Sequence, residues 1–143
     1  TDKNDPKKLL SLVDGVLGNA GRRDAAWVGF EGNDLDIVLD LAAIQQVKNI
    51  KCNFLSENNA WVFLPRLVQV EVSDDGITYR KVGESSFSTE KEIKGFVVRP
   101  FTFAVNSKIR FIKFVARNQG VCPAWHPGAG YKCWIFMDEI VVE

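Results

Sequence analysis

One histidine and one methionine are all the chain has of those residues in 143 positions, alongside two tyrosines, three cysteines and five prolines. A single histidine with two nearby cysteines gives too few ligands, at unsuitable spacing, for a zinc site. There is no surplus of charge: eighteen basic and eighteen acidic residues cancel. Phosphate recognition needs a basic excess, so nucleic acid and anionic membrane surfaces are not expected partners. No apolar run approaches the length of a membrane span. The opening, TDKNDPKK, has no initiator methionine and no signal-peptide pattern. The expectation is a module cut from a longer protein, with residues 1–143 forming a single domain. Helical periodicity is almost absent. The one candidate is a short helix over 6–12, where Asp5 would cap and Pro6 would take the first helical position.

What is present is alternation. Leu35, Ile37, Leu39 and Leu41 share one face of a strand over 34–41, with Asp36 and Asp40 on the other. Similar patterns predict strands over 47–55, 67–73, 78–82, 96–105, 109–117 and 134–142. The segment 109–117 is apolar on both faces, as a central strand would be. Ser73-Asp74-Asp75-Gly76 predicts a tight hairpin between two of these strands. With about eight short strands and hardly any helix, the class is an all-β sandwich.

One segment breaks the pattern. Residues 118–134, NQGVCPAWHPGAGYKCW, hold the only histidine, two of four Trp, two of three Cys, two of five Pro and three Gly. Rigid prolines, permissive glycines and large aromatics suit a shaped surface loop. Cys122 and Cys133 flank it. Paired, they would stabilise it by roughly 3 kcal/mol; two free thiols are the alternative. Cys52 lies in a strand pattern and reads as a small buried hydrophobe.

The motifs fall into a recognisable order: LVDG at 12–15, WVGFEG at 27–32, DLDIVLDL at 34–41, VEVSDDGITY at 70–79 and WIFMDEIVV at the end. The order resembles the factor V/VIII type C (discoidin-like) domains, and among them the family 32 carbohydrate-binding modules. The tail CPAWHPGAGYKCWIFMDEI is similar to the C-terminal module of bacterial β-N-acetylhexosaminidases of the chitobiase kind. The resemblance implies a jelly-roll β-sandwich in a secreted, periplasmic or cell-surface bacterial protein. It also implies a structural Ca²⁺, with Asp14 and Glu139 at the ligand positions. The chain departs from the family in the run VLGNAGRRDAAW that follows the DG. Arg22 and Arg23 in that run could satisfy the carboxylates without a metal.

Sugar binding in such modules pairs an aromatic face with polar side chains, because a pyranose has an apolar C–H face and a polar edge. Two segments carry that pairing. One is SENNAWVFL at 56–64, with Trp61, Asn58, Asn59 and Glu57; the other holds Trp125, His126 and Tyr131. Each residue has a structural reading as well: His126 could bond its own loop's carbonyls, and Trp125 could plug that loop. Trp134 alternates with Phe136 and reads as core, and Trp27 as a plug of the N-terminal loop.

Catalysis is not expected. Asp74-Asp75 is explained by the turn, and Asp138 and Glu139 would point to opposite faces of a strand, which excludes a glycosidase pair. The expectation is a non-catalytic carbohydrate-binding module of a glycoside hydrolase. Its partners would be a galactose- or N-acetylhexosamine-type glycan and the catalytic domain of the same chain. The alternative is an accessory domain that packs on the catalytic domain without binding sugar.

Overall fold

The computed structural model describes residues 27–143. The expected helix over 6–12 and the candidate ligand Asp14 lie outside the described residues. Seven strands follow in chain order: β1 (Val28–Glu31), β2 (Leu35–Ser56), β3 (Leu67–Ser73), β4 (Arg80–Ser86), β5 (Val97–Arg117), β6 (Trp134–Met137) and β7 (Val141–Val142). All pairings are antiparallel, in the order β1-β6-β2-β5-β3-β4, with β7 also on β2.

Four of the expected strands are two. Segments 34–41 and 47–55 run together as β2, and 96–105 and 109–117 as β5. These long strands pair with each other, and their register breaks between Asp40 and Gln45 and again between Val47 and Asn49. Extra residues in a ladder bend it. Ala42 (φ 72°) and Asn106 (φ 49°) occupy the left-handed region at these breaks. Asp40 secures the first break: its Oδ1 accepts the amide of Ala42 at 2.9 Å, and its carboxylate takes Arg110 at 2.8 and 3.0 Å. The Arg110 guanidinium, followed by the Ala42 amide, holds the Asp40 carboxyl below its ordinary range.

The bend makes the sandwich. On one side of it, β5 pairs with β3, which pairs with β4; on the other, β2 pairs with β6 and β7. Val68, Val70 and Phe114 from the first layer share one core with Ile50, Phe54 and Phe103 from the second. Burying side chains of this size stabilises by about 1.5–3 kcal/mol each. The layers meet closely at Gly83 of β4, where a Cβ would stand 2.4 Å from the ring of Phe103. β5 is the central strand its composition implied, with Ile112, Phe114 and Ala116 fully buried.

The expected closing strand is broken into β6 and β7 by Asp138. Its carboxylate leaves the ladder to accept the backbone and side-chain N–H groups of Asn53, both at 2.8 Å. β1 packs tightly on β6: opposite Gly29, the Phe136 ring occupies the space of a side chain, 2.1 Å from where a Cβ would stand. The hairpin after β3 forms, but it is wider than the expected tight turn: its connection runs over 74–79, and the return strand is Arg80–Ser86 rather than 78–82. Ser73 Oγ accepts the amides of Asp75 and Gly76, and the Asp75 carboxylate accepts those of Ile77 and Thr78 at 2.8 and 2.9 Å.

Candidate functional site

Because the β2–β5 pair folds over, both ends of each strand reach one edge of the sandwich. Three loops meet there: 57–66 between β2 and β3, 87–96 between β4 and β5, and 118–133 between β5 and β6. Backbone bonds order the first loop within itself, anchor it to β6 and tie it to the second. Glu57 and Val62 exchange bonds at 3.0 and 3.1 Å, Phe63 N–H donates to Trp134, and Phe87 N–H donates to Arg66. The Gln119 amide spans two of the loops, donating to the carbonyls of Leu64 and Phe87.

The two segments with candidate sugar contacts are therefore neighbours, and His126 is where they join. It is only 5% exposed. The Gly128 amide donates to Nδ1 at 2.9 Å, which leaves the ring proton on Nε2, 2.6 Å from the carbonyl oxygen of Asn58. Both ring nitrogens are thus spent inside the protein. Asn58 is buried in the same way: its side-chain NH₂ donates to the Val62 carbonyl and its Oδ1 accepts the Ile93 amide. The expectation that His126 and Asn58 face a sugar gives way to a bracing role. The bridge of loop 118–133 to loop 57–66 needs their polar atoms more than solvent does. Asn59 is exposed on the turn Asn58–Ala60.

Around this brace stand the aromatics. Phe63 lies beneath His126, with centroids 5.4 Å apart. Trp61 and Trp125 flank it at 5.9 and 5.7 Å. Tyr131 leans on Trp61 at 6.2 Å. Trp61, Trp125 and Tyr131 are 37%, 39% and 69% exposed, so each offers ring surface to solvent. Trp125 is held by an indole N–H bond of 2.6 Å to the Thr89 carbonyl. Trp61 carries strain: its backbone is left-handed, φ 69° and ψ 22°. For a bulky side chain that conformation costs about 1–3 kcal/mol and is kept where the ring must point one way. The ring is seated on Gly128, where a Cβ would approach it to 2.9 Å.

The other aromatics stay in the framework. Trp27 is buried, and Trp134 packs half-buried beside it with Phe136. Cys122 and Cys133 are free thiols packed with Phe63. Val121 pairs with Lys132, so the two cysteines sit diagonally rather than opposite each other. Cys133 donates its thiol proton to Asn118 Oδ1 at 3.3 Å. Burial, reinforced by the Cys122 thiol, pushes Cys133 up to about 11. Glu139 is 7% exposed and borders a cavity of about 280 Å³ with Lys51 and Glu143. Among the described residues no cluster of three His, Cys, Asp or Glu could hold a metal.

The sequence reading missed the loop after β4. Thr89 and Ile93 fix Trp125 and Asn58, yet the stretch carries neither aromatic pairs nor a motif. Its unpatterned length was the available signal.

No family model matches the chain. No curated protein matches it either. Solved structures do. The Clostridium perfringens module CpGH89CBM32-4, in complex with GlcNAc-α-1,4-galactose, has a TM-score of 0.56 at 13% identity, covering 99% of this chain and 86% of that one. The family 32 carbohydrate-binding module of AlyQ, in complex with 4,5-unsaturated mannuronic acid, has a TM-score of 0.54 at 15% identity, over 97% and 88%. The C-terminal domain of a Bacteroides fragilis chitobiase has a TM-score of 0.45 at 17% identity, over 93% and 80%. The chain also spans 18% of the length of a glycoside hydrolase, at a TM-score of 0.42 and 16% identity. The architecture is thus the β-sandwich of the family 32 carbohydrate-binding modules.

Proposed function

We propose that the chain is a non-catalytic carbohydrate-binding module that holds a glycoside hydrolase of the β-N-acetylhexosaminidase kind on its glycan. The observation that carries this is the placement of Trp61, Trp125 and Tyr131, exposed and converging on one loop edge around a buried polar brace. Rigid, partly exposed ring faces suit the C–H face of a pyranose. Asn59, exposed on the turn that precedes Trp61, would serve the hydroxyls. The ligand is a galactose- or N-acetylhexosamine-type sugar, in line with the GlcNAc-α-1,4-galactose named for one structural neighbour. A single such site is weak, and tethering to the catalytic domain of the same chain raises the effective concentration. The setting is a secreted, periplasmic or cell-surface protein. A structural Ca²⁺ held by Asp14 and Glu139 belongs to the same proposal. Glu139 offers one carboxylate, and an unchanged melting temperature in chelator argues against the ion.

The test is a glycan array and titration with the intact chain and with Trp125→Ala. Binding by the first and loss by the second is the expected result. No binding to any glycan by the folded chain overturns the reading and leaves the same apolar edge as a docking face for a neighbouring domain.

A further inference from the structure

We infer a second ligand site, at the opposite end of the sandwich, that takes the carboxylate of a uronic acid. A cavity of about 320 Å³ opens where the β2–β5 pair folds over, between the hairpin after β3 and the bend of β5. That volume lies at the lower end of the range for small-molecule sites, roughly 300–1,000 Å³. The site is remote in the fold from the aromatic edge: its walls are the 73–80 turn and residues 107–109, whereas the edge is built from the other ends of the strands.

Its lining is graded as a sugar acid requires. Val72 and Ile109, both nearly fully buried, form an apolar floor. Tyr79 stands at the wall with the Lys113 ammonium 5.3 Å from its ring centroid, which fixes the ring from one side. Thr78 and Ser107 bring hydroxyls. Two cations, Arg80 and Lys108, face one carboxylate, Asp74, so the lining carries a positive excess although the whole chain carries none.

The cationic wall is set in place before any ligand arrives. Arg80 Nη2 donates to Ser107 Oγ, which uses one of the guanidinium's five N–H donors and holds the planar group at the cavity. The opposite wall is pinned by the Asp75 carboxylate, which accepts the amides of Ile77 and Thr78. Asn106, in the left-handed region, turns β5 so that Ser107 and Lys108 border the cavity. A planar, forked donor is suited to a carboxylate. Asp74 is placed to accept hydroxyl protons and to disfavour ligands with more than one negative charge.

The test is a ¹⁵N NMR titration of the 143-residue chain with sodium D-glucuronate and, separately, with D-glucose as the neutral analogue of the same shape. Glucuronate should shift the amides of Thr78, Arg80 and Lys108, and glucose should leave them in place. Arg80→Gln should weaken glucuronate binding by roughly tenfold or more, and Lys108→Gln by less, because a point charge lacks the forked geometry. Both positions are exposed, so the fold should survive, and unchanged dispersion of the spectrum checks this. Trp125→Ala should leave the glucuronate shifts intact, which keeps this site's outcome separate from that of the aromatic edge. Equal shifts with glucose and glucuronate, or none at these amides with glucuronate, overturn the inference.

Discussion

The ring proton of His126 points at the carbonyl oxygen of Asn58 over 2.6 Å, and this bond joins two loops that are far apart in sequence. Replacing His126 with Ala strands the Gly128 amide in the interior and leaves the Asn58 carbonyl with the Trp61 amide alone. The expected loss is about 1–3 kcal/mol of stability, together with weaker glycan binding as Trp61 and Trp125 lose their common support. Urea unfolding measures the first; an unchanged midpoint would show that the brace is not needed.

Trp125 gives a contrasting result. Its ring is partly exposed, so Trp125→Ala should lower glycan affinity by roughly 30-fold, about 2 kcal/mol, as an aromatic anchor does. The unfolding midpoint should move less than for His126→Ala. Calorimetric titration alongside melting separates the two effects, and a variant that binds as tightly as the parent removes Trp125 from the contact surface.

Gly128→Ala asks whether the seat of Trp61 matters. The added methyl would meet the indole at 2.9–3.0 Å, so the ring must tilt away. Overpacking of this kind costs about 1–3 kcal/mol, and glycan affinity should fall even where the fold is retained. Unaltered tryptophan fluorescence and unaltered binding together would contradict the close packing.

The Asp75 carboxylate is held below its ordinary value of 3.8, first by the Thr78 amide, then by those of Ile77 and by Ser73. A depressed folded-state value means that its contribution is complete above pH 3.8 and is lost as pH falls through the folded value. Asp75→Asn should therefore lower stability at neutral pH and flatten the acid limb of the stability profile below about pH 4. Parallel profiles for the two proteins would refute the assignment.

Burial raises all three thiols above the ordinary value of 9.0, with Cys133 at about 11. At pH 8 they stay protonated, so a thiol reagent should react slowly with the folded protein and label three groups on denaturation. Fast labelling of the native chain would place a cysteine at the surface.

The strands were legible wherever one face alternates, and the hairpin at Asp75-Gly76 wherever turn chemistry is local. The joins were not. Residues 42–46 and 106–108 look like connections because their alternation lapses, yet bulges carry both strands through them. A bulge depends on the partner strand, which a single segment does not show. The aromatic edge was half legible. Trp61 and Trp125 stood out by type, and His126 stood out for its rarity. Whether a histidine braces or binds depends on two neighbours, the Asn58 carbonyl and the Gly128 amide, that only the folded chain brings to it.

The continuity of β2 and β5 also bears on how the molecule comes to exist. Its largest interface pairs Ser56 with Val97 at one end and Leu35 with Ala116 at the other, so no part of it can form from neighbours along the chain. Loop closure must come first and the reward later, which slows folding toward milliseconds to seconds. Both layers hang on that one pairing, so they should appear together in a single kinetic phase.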